Sequence, residues 1–168
     1  TIRGGIRRAD QFPDYDVKQL ADDYYSLGKA HGQLARYDSA QFYFAKAEAA
    51  LAATKGPDSK SSIYPKLYSA RFLLKADDFE AADRQLSRAM ELLRYDDLSG
   101  LENHPMPNRL LLALEIKADL NLGLYEKSGN GDNLIMANNY FSEAIELMEF
   151  TSKDFLTVSR QNHIERKY

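Results

Sequence analysis

Three kinds of side chain in this sequence could do chemistry: tyrosines interleaved with cations, paired carboxylates, and histidines. Tyr25, Lys29 and Gln33 fall four apart, so on a helix they share one side. Tyr64, Tyr68, Arg71 and Lys75 fall at i, i+4, i+7 and i+11, again one side. Rings beside ammonium and guanidinium groups are binding chemistry, because Tyr and Arg combine contact area with hydrogen bonding and recur at interface hot spots. An acidic or C-terminal peptide suits such a stripe. The alternative is a solvated groove with ordinary surface charges, or one occupied by the chain's own tail.

The remaining candidates read as structural. Asp22–Asp23, Asp77–Asp78 and Asp96–Asp97 are acidic pairs, but carboxylates doing acid–base work need a cleft and shifted pKa values. These pairs fall at helix ends and turns, where they solubilise and cap. His31 sits at a position for packing between helices, His104 precedes Met106 and Pro107 in a loop, and His163 is in the tail. No two histidines have helix-face spacing and no HExxH pattern occurs, so no metal site is expected. The loop GNGDN, from Gly129 to Asn133, superficially resembles a calcium loop but lacks the alternating acids and the closing Glu. A turn followed by a helix cap fits it better. No GxSxG, phosphate-binding glycine loop or dinucleotide fingerprint appears, and there is no cysteine. No catalytic residues and no cofactor are expected, and the chain reads as a non-enzyme.

The stripes need helices to carry them, and the small residues show how those helices pair. Between Tyr24 and Ala47, small residues fall at Gly28, Ala40 and Ala47, and large ones at Tyr24, Leu27, Tyr37 and Phe44. Small side chains let two helix axes approach, and large ones fill the flanking space. The arrangement recurs between Tyr68 and Ala89. At an offset of 42, Gly28 meets Ala70, His31 meets Leu73, Tyr37 meets Phe79, Ala40 meets Ala82, Phe44 meets Leu86 and Ala47 meets Ala89. A further offset of 55 brings Phe79 to Leu134, Ala82 to Ala137, Leu86 to Phe141 and Ala89 to Ala144. A helix pair of this kind cannot bury its apolar surface alone, so copies stack.

These residues resemble the tetratricopeptide repeat (TPR), which has a small residue in its first helix, another twelve places on, an aromatic four later and an alanine three after that. Gly28, Ala40, Phe44 and Ala47 fit one by one, and the resemblance spans roughly residues 20–150. It implies an all-α, right-handed solenoid of helical hairpins, about three pairs with a C-terminal helix. It also implies that Gly28, Ala40, Phe44, Ala47, Ala70, Ala82, Leu86, Ala89, Ala137, Phe141 and Ala144 are packing positions. In that family the first helix of each pair lines the concave face. Tyr25, Lys29 and Gln33 with Tyr64, Tyr68, Arg71 and Lys75 would then form one aromatic and basic groove, with Gly28 and Ala70 pointing elsewhere.

The offsets exceed the family's unit of 34 residues. The extra length sits in the loops Thr54 to Ser62 and Tyr95 to Pro105, and in KSGNGDN of the third copy. Some family members clamp a terminal carboxylate with a Lys and an Asn on the first helix. Here Tyr25 and Lys29 occupy the corresponding places, so that specificity is not carried over. The helix Ala137 to Leu147, with its Ala-x-x-Tyr-Phe-x-x-Ala-Ile-Glu-Leu pattern, looks like the region preceding caspase-like CHAT domains in bacterial proteins. That likeness implies a larger parent protein, and without a cysteine this chain cannot hold that domain's nucleophile.

Composition is compatible with this. The chain has 168 residues, 44% hydrophobic and 28% charged, which is globular rather than disordered. Net charge is −3, which gives little reason to expect nucleic acid. No run approaches a membrane span and no signal peptide is visible, so a cytoplasmic setting is the default. Thr1 in place of Met suggests a trimmed or processed fragment.

Six main helices are expected at about Asp16–Leu34, Tyr37–Ala53, Ser62–Ala76, Asp78–Arg94, Pro107–Tyr125 and Asp132–Phe150. Asp16 and Gln19 form a candidate capping box, Asp38 and Asp78 lie near helix starts, and Pro107 suits a first turn. Residues 1–15, with Arg3, Arg7 and Arg8, read as a mobile basic leader. Residues 16–150 form the repeat domain. Residues 151–168 are a polar helical segment that caps the stack or continues into a further segment.

The expected function is a protein- or peptide-binding scaffold module, part of a larger bacterial protein, with an acidic segment as the suited partner and neither nucleic acid nor membrane. Alternatives are a homo-oligomerisation unit, a gating arm for an effector domain absent from this chain, or a peptide-pheromone receptor. The last would need an Asn-rich groove that the first two helix pairs lack.

Overall fold

The structure, a computed structural model, describes residues 17–94 and 104–165, with side chains as far as 152. The leader with Arg3, Arg7 and Arg8, the Asp16 half of the capping box, the Asp96–Asp97 pair and the His163 side chain lie outside the described residues. Among the described residues the elements are all helical: α1 (Val17–Gln33), α2 (Tyr37–Lys55), a 3-10 turn (Lys60–Ser62), α3 (Ile63–Lys75), α4 (Phe79–Leu93), α5 (Pro107–Ser128) and α6 (Gly131–Glu165). None is long and apolar enough to cross a membrane. The chain divides after Arg94 into two units, α1–α4 and α5–α6.

In the first unit, α1 packs on α2 and α3 on α4, while α3 also lies against α2 and touches α1. Both pairs turn in the same way. After α1, Arg36 N–H donates to His31 O at 3.0 Å and Ala35 N–H to Gly32 O at 3.1 Å, with Ala35 at φ 54°. After α3, Asp78 N–H donates to Leu73 O at 3.0 Å and Asp77 N–H to Leu74 O at 3.0 Å, with Asp77 at φ 62°. Each is a Schellman turn, in which a left-handed residue lets the chain satisfy the last helical carbonyls. The two turns stand 42 positions apart, the offset read from the side chains. The Asp78 carboxylate then caps α4 by accepting from Ala81 N–H at 3.1 Å. Asp38 lies in the first turn of α2 without a capping bond from its N-cap, Arg36.

The core of the first pair is Ala40, Phe44 and Phe72, with Tyr25, Tyr37 and Tyr68 packed around it. Phe44 of α2 and Phe72 of α3 stack at 6.1 Å with their rings 11° from parallel. Glycine is required where α1 meets these rings. A Cβ on Gly28 would stand 2.6 Å from Phe44, and one on Gly32 would stand 2.4 Å from Phe72. The second pair buries Ala70, Ala82, Leu86 and Ala89. Two polar links tie α2 to α3. Lys66 pairs with Glu48, and Ser69 Oγ donates to Gln41 Oε1 while Gln41 Nε2 donates to Ser69 O at 3.2 Å. Burial of Lys66 and Ser69 makes these partners necessary, since an unpaired polar group there costs about 1–3 kcal/mol.

In the second unit, Pro107 opens α5 at N1, where its missing N–H costs nothing. His104 serves the preceding turn, its Nδ1 accepting from Met106 N–H at 3.1 Å. Gly129, at φ 70°, ends α5, and Asn130 caps α6 by accepting from Asp132 N–H at 3.0 Å. The GNGDN loop is therefore a turn and a cap. Ala137, Ala144 and Leu147 form the buried line of α6.

The last main helix, read from the sequence to about Phe150, and the helical segment expected after it form one element, since α6 runs unbroken to Glu165. No Gly or Pro occurs from Asp132 to Glu165. The Thr151 and Ser152 hydroxyls bond back to the carbonyls of Leu147 and Met148 at 2.8–3.0 Å, so they do not cap a new helix.

Candidate functional site

The aromatic and basic stripe spans α1 and α3, and its position follows from the packing just described. Gly28 and Gly32 bring α1 down onto Phe44 and Phe72, which places the next α1 side around, Tyr25 and Lys29, beside α3. Tyr25 meets Tyr68 edge-on at 5.6 Å and tilts toward Tyr64 at 6.5 Å. It also reaches Phe44 at 6.2 Å, so its ring joins the surface to the core.

The cations lie on these rings. Lys29 Nζ stands 4.5 Å from the centre of Tyr68 and 5.6 Å from that of Tyr25. The Arg71 guanidinium lies 5.9 Å from Tyr68, so Tyr68 carries cations from two helices. Lys75, one turn on, lies over Phe72 at 5.7 Å. Each such contact contributes about 0.5–1 kcal/mol at a surface. It fixes where the charge sits on the surface. Burial pushes the Tyr25 hydroxyl well above its ordinary range, with smaller contributions from Tyr68, Tyr64 and a hydrogen bond with Tyr68.

Of the seven stripe residues predicted from spacing, Tyr25, Lys29, Tyr64, Tyr68 and Arg71 come together in one cluster. Lys75 sits apart over Phe72, and Gln33 is exposed at the end of α1. The packing residues Gly28, Ala40, Phe44, Ala47, Ala70, Ala82, Leu86, Ala89, Ala137 and Ala144 are all buried. Phe141 differs, being 39% exposed. Within the first unit, α3 supplies Phe72 to cover Phe44; among the described residues no third helix of the second unit covers Phe141. His31 is half-buried and stacks on Tyr43 at 5.1 Å.

Spacing missed three features that hold the stripe. Gly32, one turn after Gly28, carried a readable signal, since the two share a face. The Lys66–Glu48 and Ser69–Gln41 links carried none, because their partners are distant in sequence and Lys66 resembles any surface lysine. Among the described residues no group of His, Asp and Glu gathers as metal ligands.

Neither protein-family models nor curated proteins match the chain.

Proposed function

We propose that this chain is a non-enzymatic, TPR-like helical repeat that binds an acidic protein segment along the α1–α3 face, as a scaffold or sensing arm of a larger bacterial protein. The repeat reading is supported by the two Schellman turns at Ala35 and Asp77, offset like the packing residues, and by α3 lying against α2 while touching α1. The binding reading is carried by one observation: Lys29 and Arg71 converge from different helices on the Tyr68 ring. Cations held in place lose little freedom when a carboxylate arrives, and immobilising free side chains would cost about 0.5–1.5 kcal/mol each. The flanking Tyr25 and Tyr64 rings supply area for an extended backbone.

The test is a calorimetric titration of a Glu- and Asp-rich peptide with a free C-terminus against the wild type and a Lys29→Glu, Arg71→Glu, Lys75→Glu variant. Binding by the wild type that is lost in the variant, with the circular dichroism spectrum unchanged, supports the reading. Equal binding by the two proteins, or none by the wild type, removes the acidic-segment assignment.

A further inference from the structure

The second unit carries an apolar groove that nothing in the first unit's chemistry accounts for. It lies between α5 and α6, has a volume of about 390 Å³, and is floored by Leu111, Phe141, Ile145 and Met148. Ile145 is 52% exposed and Met148 44%. Glu115 and Asp119 form its α5 wall. On α6, the acids Asp132, Glu143, Glu146 and Glu149 occur with no Lys or Arg from Gly131 to Ser152.

The first unit shows what such a face accepts. Phe44 and Phe141 fall at matching positions of their helix pairs, through Leu86, by the offsets of 42 and 55. Phe44 is covered by α3, which lays Phe72 on it. The α3 sequence, IYPKLYSARFLLK, has Lys66, Arg71 and Lys75 and no acid, and Lys66 pairs with Glu48 of the helix beneath. The helix that covers Phe44 in the first unit is therefore one with apolar side chains and cations and no acid.

We infer that the α5–α6 groove seats a basic amphipathic helix from a partner protein, in the place that α3 takes on the first helix pair. Apolar residues at i, i+3 or i+4, and i+7 of the partner would cover Phe141, Ile145 and Met148, and its Lys and Arg would meet the acidic wall. A second copy of this chain fits poorly, because a symmetric contact would bring α6 against α6 and set its acids against each other. The groove is distinct from the α1–α3 face and takes the opposite charge.

The test uses two helical peptides with the same leucine face, one completed with Lys and the other with Glu, titrated by fluorescence anisotropy into the full chain. The Lys peptide should bind at least about tenfold more tightly than the Glu peptide. Ile145→Asp with Met148→Asp should weaken it at least about tenfold. Asp119→Lys with Glu149→Lys, at exposed positions that leave the fold intact, should reverse the preference between the peptides. The Lys29→Glu, Arg71→Glu, Lys75→Glu variant should bind the Lys peptide as the wild type does, which separates this groove from the α1–α3 face. Equal affinity for both peptides, or no effect of the groove variants, overturns the inference. Concentration-dependent dimerisation abolished by Ile145→Asp, without peptide binding, would assign the face to a second copy and overturn it equally.

Discussion

Phe44 and Phe141 are matched by the sequence offsets of 42 and 55, and their surroundings are opposite. Phe44 is 1% exposed, pressed between Gly28 of α1 and Phe72 of α3. Phe141 is 39% exposed in an open groove. The difference lies in what covers each ring beyond its own pair: Phe72 of α3 stacks on Phe44, while Phe141 lines a groove that is open among the described residues. In the first unit α3 arrives and brings its own cations, which then form the candidate binding face with α1. In the second unit the groove lies beside acidic side chains. The first unit thus carries a cationic aromatic face and the second an acidic apolar groove.

The sharpest way to break this comparison is to truncate the two rings. Phe44→Ala should destabilise the first unit by about 3–5 kcal/mol, the range for a large core aromatic. Phe141→Ala should cost clearly less, about 1–2 kcal/mol, because its ring is 39% exposed. Urea unfolding followed by circular dichroism measures both, and similar costs would mean that Phe141 is as buried as Phe44.

A smaller effect with opposite signs is expected at glycines. Ala in place of Gly ordinarily stabilises a helix by about 0.5–1 kcal/mol. At Gly32 the new Cβ would stand 2.4 Å from Phe72, so Gly32→Ala should instead destabilise by about 1–3 kcal/mol. At Gly131 the space is open, and Gly131→Ala should stabilise by at most about 0.5 kcal/mol. Melting temperatures moving the same way in both variants would refute the close approach of α1 to α3.

The turns give the finest comparison. Ala35 holds φ 54° where the second unit uses Gly129 at φ 70°. A non-glycine residue pays roughly 1–2 kcal/mol in that region. Ala35→Gly should therefore raise stability by about 1 kcal/mol and Gly129→Ala should lower it by a similar amount. An unchanged melting temperature for Ala35→Gly would contradict the Schellman turn there.

These residues also show what was legible beforehand. Helix starts could be read from Asp78 and Pro107, because capping and N1 preferences are local. The stripe Tyr25, Lys29, Tyr64, Tyr68 and Arg71 could be read from i, i+4 spacing. That Tyr25 reaches inward to Phe44 could not, because it depends on how closely Gly28 and Gly32 let α1 approach. The exposure of Phe141 was hidden for a related reason. Periodicity identifies the side a residue occupies, while burial depends on elements distant in sequence. Helix after Phe150 could be read from the sequence; its continuity with α6 rests on Thr151 and Ser152, whose hydroxyls bond back to carbonyls one turn earlier instead of capping a new helix.

The proposed faces of opposite charge are separated by a nitrogen-15 correlation NMR titration of the full chain, with the Glu- and Asp-rich peptide and the Lys-faced helical peptide added separately. The acidic peptide should shift amides around Tyr25, Lys29, Tyr68 and Arg71, and the basic peptide those around Leu111, Phe141, Ile145 and Met148. Both peptides shifting the same residues, or each shifting the other's set, would contradict the proposal of two faces.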